Sequence, residues 1–425
     1  MNILVVGSGG REHALCRKFV ESPQVSTLYC APGNAGIALL AECVDISPEN
    51  IFELARFAAE RNVDLTFIGG ESALALGVVD EFERRGLRII GPRMAAARLE
   101  SSKAFAKDFM ARHRIPTAKY RTAGSVSEAV GILNSGEFGG ESMPVVVKAD
   151  GLAAGKGVVV AADRSAAIAA IDELESLAGR DATRTIVLEE CLFGSEVSLI
   201  MFVDGENYAL MPPTRDHKRI GDGDTGPNTG GMGAITDDTL LSKSQTADII
   251  ERIIVPTLNG CREEGFPFQG ILFLGLMMTD SGASVLEYNV RFGDPETQVI
   301  LARLNTDIVE ICEAIESGAL NKITIDWLPG NSACVVLAAK GYPQRPETGA
   351  VISGLTKAEK FPGVVVIHAG TAVDQNGEIV TAGGRVLGVT AVGSDLDEAL
   401  GSAYSAVKEI SWEGIQYRKD IGRSV

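Results

Sequence analysis

The chain opens on a short apolar strand, Asn2 to Val6. It breaks at Gly7-Ser8-Gly9-Gly10 and resumes with helical spacing near Arg11-Glu12-His13-Ala14. A second strand, Thr27 to Cys30, runs into Ala31-Pro32-Gly33-Asn34-Ala35-Gly36. The pattern then predicts a helix from about Pro48 to Arg61, a strand Asp64 to Ile68, the turn Gly69-Gly70-Glu71-Ser72, a helix through Arg85, and a strand Arg88 to Ile90. Strands and helices alternating at this spacing imply a doubly wound parallel sheet with helices on both faces. Ligands of such sheets bind beyond the carboxyl ends of the strands. Gly7 to Gly10, Asn34 and Glu71 all follow strands, so they share one edge.

Met94 to His113 is helical in spacing and ends at Ile115-Pro116-Thr117. Residues 122–186 read as a small α+β unit, in which Val145 to Lys148 and Val158 to Val160 bracket the glycine-rich loop Asp150 to Gly157; Leu177 to Thr185 is its loose connector. Strands follow at Thr185 to Glu190 and Val197 to Val203. The stretch from Asp216 to Gly233 has no periodicity, and such a loop inside a compact chain is usually functional. A helix from about Asp248 to Glu264 precedes strands Gly270 to Thr279 and Ser284 to Val290. On the second of these, Glu287 and Asn289 lie two apart and face the same way. A helix then runs through Ile315. After Leu320 the chain turns to short strands (Cys334 to Ala338, Val364 to His368, Gly377 to Thr381, Arg385 to Val389) and closes on a helix from Leu396 to about Ile410. The expected division is 1–100, 101–121 with 187–322, 122–186, and a β-rich 323–425.

At 425 residues the chain is too long for one core. A hydrophobic content of 45% and a charged content of 22% are those of a soluble globular protein. The net charge of −17 argues against nucleic acid as partner. No apolar run reaches the ~18 residues that would span a bilayer, and no leader precedes the first strand. The seven cysteines are scattered, without a C-x-x-C pair, and read as thiols in a reducing, cytoplasmic compartment.

The loop Asp150 to Gly157 offers bare N–H groups and Lys156, which suits a polyphosphate. It is not a Walker A loop: three residues separate Gly151 from Gly155, Gly157 stands where Ser or Thr is required, and a strand follows instead of a helix. The opening glycine turn is not a dinucleotide fingerprint either, because it lacks the third glycine and an acid after the second strand. The pieces fit one problem, holding a nucleoside triphosphate between two sheets. Lys103, Lys148 and Lys156 can neutralise phosphate. The corner Glu189-Glu190-Cys191-Leu192 can offer backbone groups to adenine, and Glu196 can accept from ribose hydroxyls. Glu287 and Asn289 give hard oxygen ligands suited to Mg²⁺ bridging phosphates.

Taken together, GxGGREHAL at 7–15, APGNAG at 31–36, SKAF at 102–105, KADGLAAGKG at 148–157, DHKR with DTGPNTGGMGA within 216–234, NVRFGDPETQ at 289–298, GGRVL at 383–387 and RKDIG at 418–422 resemble the ATP-grasp enzymes, and among them the phosphoribosylamine–glycine ligase family. The resemblance covers nearly the whole chain. It implies an ATP-grasp fold, α/β and α+β, with a mobile ATP lid at 122–186 and a small C-terminal domain. It implies a monomer or weak dimer that joins glycine to 5-phosphoribosylamine through an acyl phosphate, using ATP and Mg²⁺ or Mn²⁺. By matching position, Arg291, Asp216 and Lys218 would act in catalysis. Lys103, Lys148, Gly155, Lys156, Gly157, Glu189, Glu190, Leu192 and Glu196 would hold ATP. Gly9, Gly10, Asn34, Glu71, Asp222, Asp224 and Asp294 would face the other substrates, and Glu287 and Asn289 the metal. Two departures stand out: Gly70 occupies the place of a usual proline, and Leu272 to Met278 lacks the carboxylate that many ATP-grasp enzymes supply to a second metal.

Overall fold

The computed structural model describes residues 1–152, 157–178 and 184–423. The N-terminal alternation forms β1 (Asn2–Gly7), β2 (Thr27–Pro32), β3 (Glu42–Cys43), β4 (Leu65–Ile68) and β5 (Ile89–Ile90), one parallel sheet of order β3-β2-β1-β4-β5. Ile3, Leu4, Val5 and Val6 are all buried, as parallel strands covered on both faces must be. The order reverses at β1, so the glycine turn leaving it opens the crevice where such sheets bind ligands. The helices are α1 (Gly10–Glu21), α2 (Ile51–Glu60), α3 (Glu71–Ala75) and α4 (Val78–Arg84). The helix expected to run through Arg85 is two, because Gly77 takes a left-handed conformation between them.

The next helical stretch also breaks, into α5 (Met94–Ser101) and α6 (Lys103–Arg112), at Ser102, whose backbone is extended. Ser102 Oγ accepts from the Phe105 N–H at 3.1 Å and so caps α6. The N–H of Ala104 donates at 2.7 Å to Asp150, and Ser102 Oγ donates to the same carboxylate at 3.1 Å. The first turn of α6 is therefore completed by a residue of the following small unit.

That unit contains β6 (Tyr120–Ala123), α7 (Val126–Asn134), β7 (Val145–Ala149), β8 (Val158–Ala161), α8 (Arg164–Ala178) and β9 (Ile186–Glu190), its antiparallel sheet ordered β6-β9-β7-β8. It has its own core of Ala123, Leu133, Val147, Ile171 and Leu188. β7 and β8 form the expected hairpin, with Lys148 opposite Val158. The expectations for Gly155 and Lys156 lie outside the described residues.

The rest is built on one large sheet. Its strands are β10 (Ser195–Asp204), β11 (Tyr208–Leu210) and β12 (Thr214–Asp216); then, after the separate hairpin β13 (Arg219–Gly221) and β14 (Thr225–Asn228), β15 (Gly233–Thr236). The stretch expected to be an aperiodic loop is thus partly β; its segments of three and four residues, with Gly223 and Gly231 between them and Gly226 within β14 at positive φ, are too short to display a period. α9 (Lys243–Ile249) starts well before Asp248, at a Ser242–Gln245 capping box, and passes through a π-turn into α10 (Val255–Glu263). Then come β16 (Gln269–Thr279), β17 (Gly282–Asn289), α11 (Glu296–Arg303), α12 (Ile308–Glu316) and β18 (Asn331–Ala338). Next are α13 (Leu355–Ala358), β19 (Val364–His368), the pair β20 (Thr371–Val373) and β21 (Ile379–Thr381), β22 (Arg385–Gly393) and α14 (Leu396–Val407). The order is β17-β16-β10-β12-β15-β18-β22-β19, with β11 beside β10. The C-terminal strands therefore do not stand apart in a sheet of their own: β18 pairs with β15 from Gly233↔Val335 to Thr236↔Ser332. α14 packs on them through Leu337, Val389, Ala403 and Val407. Among the described residues no helix is long and apolar enough to cross a membrane.

The RKDIG segment serves this architecture. The Arg418 guanidinium is fully buried; it binds both oxygens of Asp420 (2.8 and 2.7 Å), Asp224, and the carbonyl of Arg219 at 3.2 Å. His217 Nε2 accepts from the Gly422 N–H at 3.0 Å. The C-terminal end thereby fastens the β13–β14 hairpin. Arg418→Ala is expected to destabilise the fold by about 3 kcal/mol, the low end for breaking a buried pair, since Asp224 stays half-exposed and can rehydrate. The midpoint of urea unfolding measures it.

Candidate active site

β17 carries the centre of the site. A bulge between Gly275 and Leu276 leaves Glu287 opposite Gly275 and Asn289 opposite Phe273, both on one face. Among the described residues, no donor hydrogen-bonds the Glu287 carboxylate. Burial would raise its pKa, but Lys218, Lys148, Lys103 and Arg291 together hold it below the usual range. These cations arrive from separate elements. Lys103 opens α6 and donates to the Gly151 carbonyl at 3.0 Å; desolvation lowers its pKa despite Glu287. Lys148, one residue before the end of β7, is 2.7 Å from Glu189 and 3.1 Å from the Leu286 carbonyl. Lys218 follows β12 and pairs with Glu196 at 3.0 Å; burial works to lower its pKa, but Glu196, Glu287 and Asp216 raise it.

Arg291 is clamped. Its guanidinium meets Glu71 at 3.0 Å, Glu100 at 2.7 Å and Asn289 Oδ1 at 3.2 Å. Burial would push Glu71 up, yet Arg291 and Arg11 bring it down to about 2. For Glu100 burial wins, and its pKa rises to about 7 against the pull of Arg291. Glu100 also accepts from the Val290 N–H at 2.7 Å. One carboxylate reaches Arg291 from the N-terminal sheet edge and the other from α5, so the guanidinium has little freedom.

A second group lies where α11 meets the glycine turn. Asp294 is 3.3 Å from Arg385 and accepts from Gln298 Nε2 at 2.8 Å. Arg385 also binds the carbonyls of Gly230 and Asp294. Asp216 Oδ1 is buried without a hydrogen-bond partner, close enough to Gly231 that a Cβ there would fall 2.8 Å away. Burial, reinforced by Glu296, pushes the Asp216 pKa well up.

Several expected site residues are engaged elsewhere. Asn34 spends its side chain internally: Nδ2 donates to the carbonyls of Ser8 (2.8 Å) and His368 (3.0 Å), and Oδ1 accepts from Gly36 and Ile37. Asp222 accepts from the Lys419 N–H at 2.8 Å, and Asp224 binds Arg418, so both face the C-terminal segment and not the glycine turn. The Gly9 N–H is taken by Glu12 at 2.6 Å. A Cβ on Gly10 would lie 2.7 Å from Gln298 Nε2, so that glycine already serves the packing of α1 on α11. Glu189 turns its carboxylate into the buried interior, towards Lys148 and Lys107. Glu190 binds the Lys119 backbone, its N–H to the carbonyl at 2.9 Å and its carboxylate to the N–H at 2.8 Å. Glu196 is held by Lys218. Leu192 is half-buried at the corner, where neither its N–H nor that of Cys191 makes a hydrogen bond among the described residues. Gly157 is buried and accepts from the Ala149 N–H at 2.8 Å. Sequence reasoning missed Glu100, Lys107, Gln298 and Arg385; Gln298 and Arg385 had a signal, their places in the NVRFGDPETQ and GGRVL motifs.

A divalent cation fits Glu287 and Asn289. The unbonded, cation-surrounded carboxylate lacks an oxygen-seeking partner of its own, and the amide oxygen beside it keeps a lone pair. Among the described residues no cluster of three or more His, Cys, Asp or Glu side chains could hold a metal, and two protein oxygens plus phosphates and water are what Mg²⁺ commonly uses. Gly275, facing Glu287, adds no further ligand.

A parallel N-terminal sheet, a small antiparallel unit and a strand carrying Glu287 among converging cations match the ATP-grasp class. The Campylobacter jejuni biotin carboxylase structure shares that fold, with a TM-score of 0.75 at 17% identity over 98% of this chain and 92% of that one. The Phosphoribosylglycinamide synthetase family matches in three parts, its N domain at 1–100, its ATP-grasp (A) domain at 101–297 and its C domain at 332–424. The phosphoribosylamine–glycine ligase of Pseudomonas aeruginosa is 48% identical over 426 residues, 99% of this chain and 97% of that one. That of Caldanaerobacter subterraneus is 44% identical over 422 residues, 99% of each. The crystal structure of the Thermotoga maritima phosphoribosylamine–glycine ligase matches with a TM-score of 0.85 at 34% identity, covering 99% and 100%. The chain belongs to the phosphoribosylamine–glycine ligase family.

Glu287→Gln keeps the shape of the side chain but removes the anion that balances the surrounding cations. Metal-dependent turnover is expected to fall by at least about a hundredfold at limiting Mg²⁺, with the melting temperature within a few degrees of wild type. Near-normal activity across a Mg²⁺ titration is the contrary result.

Proposed function

We propose that the chain ligates glycine to 5-phosphoribosylamine at the expense of ATP, giving glycinamide ribonucleotide, ADP and phosphate, as a C–N ligase of de novo purine biosynthesis. The substrate assignment rests on the likeness, over 99% of the chain, to ligases of that name. The chemistry rests on one observation: four cations from four elements converge on Glu287.

The glycine carboxylate attacks the γ-phosphoryl group, and the amine then displaces phosphate from the acyl phosphate. Neither step needs a protein nucleophile, so the protein's part is positioning and charge neutralisation. Lys103, bonded to the Gly151 carbonyl, and Lys148, on β7, both lie at the root of the glycine hairpin and are suited to the nucleotide phosphates. The unpaired N–H groups of Cys191 and Leu192 are suited to the adenine edge. Arg291, immobilised by Glu71 and Glu100, is suited to the transferred group, because a fixed guanidinium loses no freedom as charge develops. A divalent cation, Mg²⁺ or Mn²⁺, supplies further neutralisation of phosphate charge when held by Glu287 and Asn289. Asp294 stands beside the glycine turn, and Arg385 and Asp216 beside Gly230 and Gly231, on the side suited to the amine and the phosphoribosyl group. In this reading Asn34, Asp222 and Asp224 shape their loops and do not touch substrate.

ADP release by the purified chain is expected only when glycine and 5-phosphoribosylamine are both present, with glycinamide ribonucleotide as product. ADP release driven by bicarbonate, without glycine, would place the chain with the carboxylases that share its fold.

The small unit, 122–186, acts in this proposal as a lid, because Lys148 sits at its hairpin and can follow the phosphates only with the unit as a whole. Amide hydrogens of β7 and β8 are expected to exchange more slowly with ATP and Mg²⁺ bound. Equal exchange rates with and without nucleotide would remove the lid.

A further inference from the structure

Lys148 is the outer end of a buried charge network whose inner member is Lys107. Lys107 and Glu189 are each 2% exposed and Lys148 is 7% exposed. Lys107 Nζ is 2.8 Å from one Glu189 oxygen, and Lys148 Nζ is 2.7 Å from the other. Lys107 also donates to Thr117 Oγ1 at 2.7 Å, which in turn donates to the Val285 carbonyl at 2.6 Å. Lys148 donates to the adjacent carbonyl, that of Leu286. The chain of contacts closes on β17 one residue before Glu287. It ties together α6, strands β7 and β9 of the small sheet, and β17.

The composition of this relay matters as much as its geometry. Two ammonium groups share one carboxylate, so the buried trio carries a surplus positive charge. Glu287 offsets part of that charge; burying the remainder is costly, and a bound anion relieves it. Without Lys107, Glu189 and Lys148 would form a neutral pair, and the Glu189 carboxylate would be free to draw the Lys148 ammonium inward. Lys107 lies one helical turn from Lys103, so α6 aims one lysine at the ligand and places the next behind it.

We infer that Lys107 is a positioning residue: acting through Glu189, it holds the Lys148 ammonium towards the nucleotide phosphates and leaves the site with the positive charge that binds them. This rests on the ATP-grasp reading of the site. The groups facing Lys107 are Glu189 on β9, Lys148 on β7 and Glu287 on β17. Desolvation, outweighing the attraction of Glu189, brings the Lys107 pKa down to about 8. The ammonium is therefore present below that pH and lost as the pH rises through it.

Calorimetric titration with MgADP tests this without requiring the ligase reaction, whose own test is glycine-dependent ADP release by the wild type. Lys107→Met is expected to weaken MgADP binding at least tenfold at pH 7, and to raise the KM for ATP while leaving the KM for glycine unchanged. In a Glu189→Gln background the same substitution is expected to change MgADP affinity less than twofold, because its effect passes through that carboxylate. Wild-type affinity is expected to fall between pH 7.5 and 9, and Glu189→Gln to flatten the profile. Equal weakening by Lys107→Met in both backgrounds would make Lys107 merely structural and overturn the inference. Should Lys107→Met not fold, the profiles of wild type and Glu189→Gln decide, and a flat wild-type profile overturns it.

Discussion

The constraint on which this structure depends is a single acidic strand position embedded among lysines and arginines drawn from across the chain. Glu287 sits opposite a glycine at a bulge, with cations reaching it from α6, β7, the segment after β12 and the segment after β17. Like charges crowded at such range repel by several kcal/mol in a partly desolvated site, so they can be gathered only if the surrounding fold holds each in place. Much of the architecture answers that need. Glu189 restrains Lys148, Glu196 restrains Lys218, and Glu71 with Glu100 restrains Arg291. The site is thereby organised before a polyphosphate arrives, which is how a protein can neutralise charge without reorganising during the reaction.

The C-terminal strands belong to the same logic. By extending the large sheet through β18 and β22 they bring Arg385 against Asp294 and Gly230, and Arg418 against the β13–β14 hairpin. Neither arginine joins the cation group around Glu287; each fixes a loop that borders it. A fold shared with biotin carboxylase at 17% identity can thus carry different acceptor substrates, because the loops are fastened by residues outside the nucleotide machinery.

What could be read in advance follows from what leaves a local trace. The parallel sheet was legible because buried strands and amphipathic helices impose different periods, and the shared face of Glu287 and Asn289 because two residues apart on a strand means one face. The glycine hairpin between β7 and β8 was legible from its β-branched flanks. The breaks at Gly77 and Ser102 were not, since a single residue in an extended or left-handed conformation barely disturbs a helical pattern. The internal partners of Asn34, Asp222 and Asp224 were hidden for a different reason. Polar residues in glycine-rich turns look alike whether they meet a ligand or their own backbone, and only the tertiary partners Ser8, His368, Lys419 and Arg418 distinguish the two. Lys107 and Glu100 lie in ordinary helical sequence, where nothing local says that a charge is buried.

The first turn of α6 has a further consequence. One of its exposed N–H groups is satisfied by its own Ser102 and the next by Asp150, which hangs from the end of β7. A helix normally owns its cap; this one borrows half. Moving the small sheet away would strip about 1 kcal/mol of capping from α6 and loosen the turn that begins with Lys103. The position of the small sheet is thus coupled to the order of the first turn of α6, and a displacement of that sheet would register first at the turn that begins with Lys103.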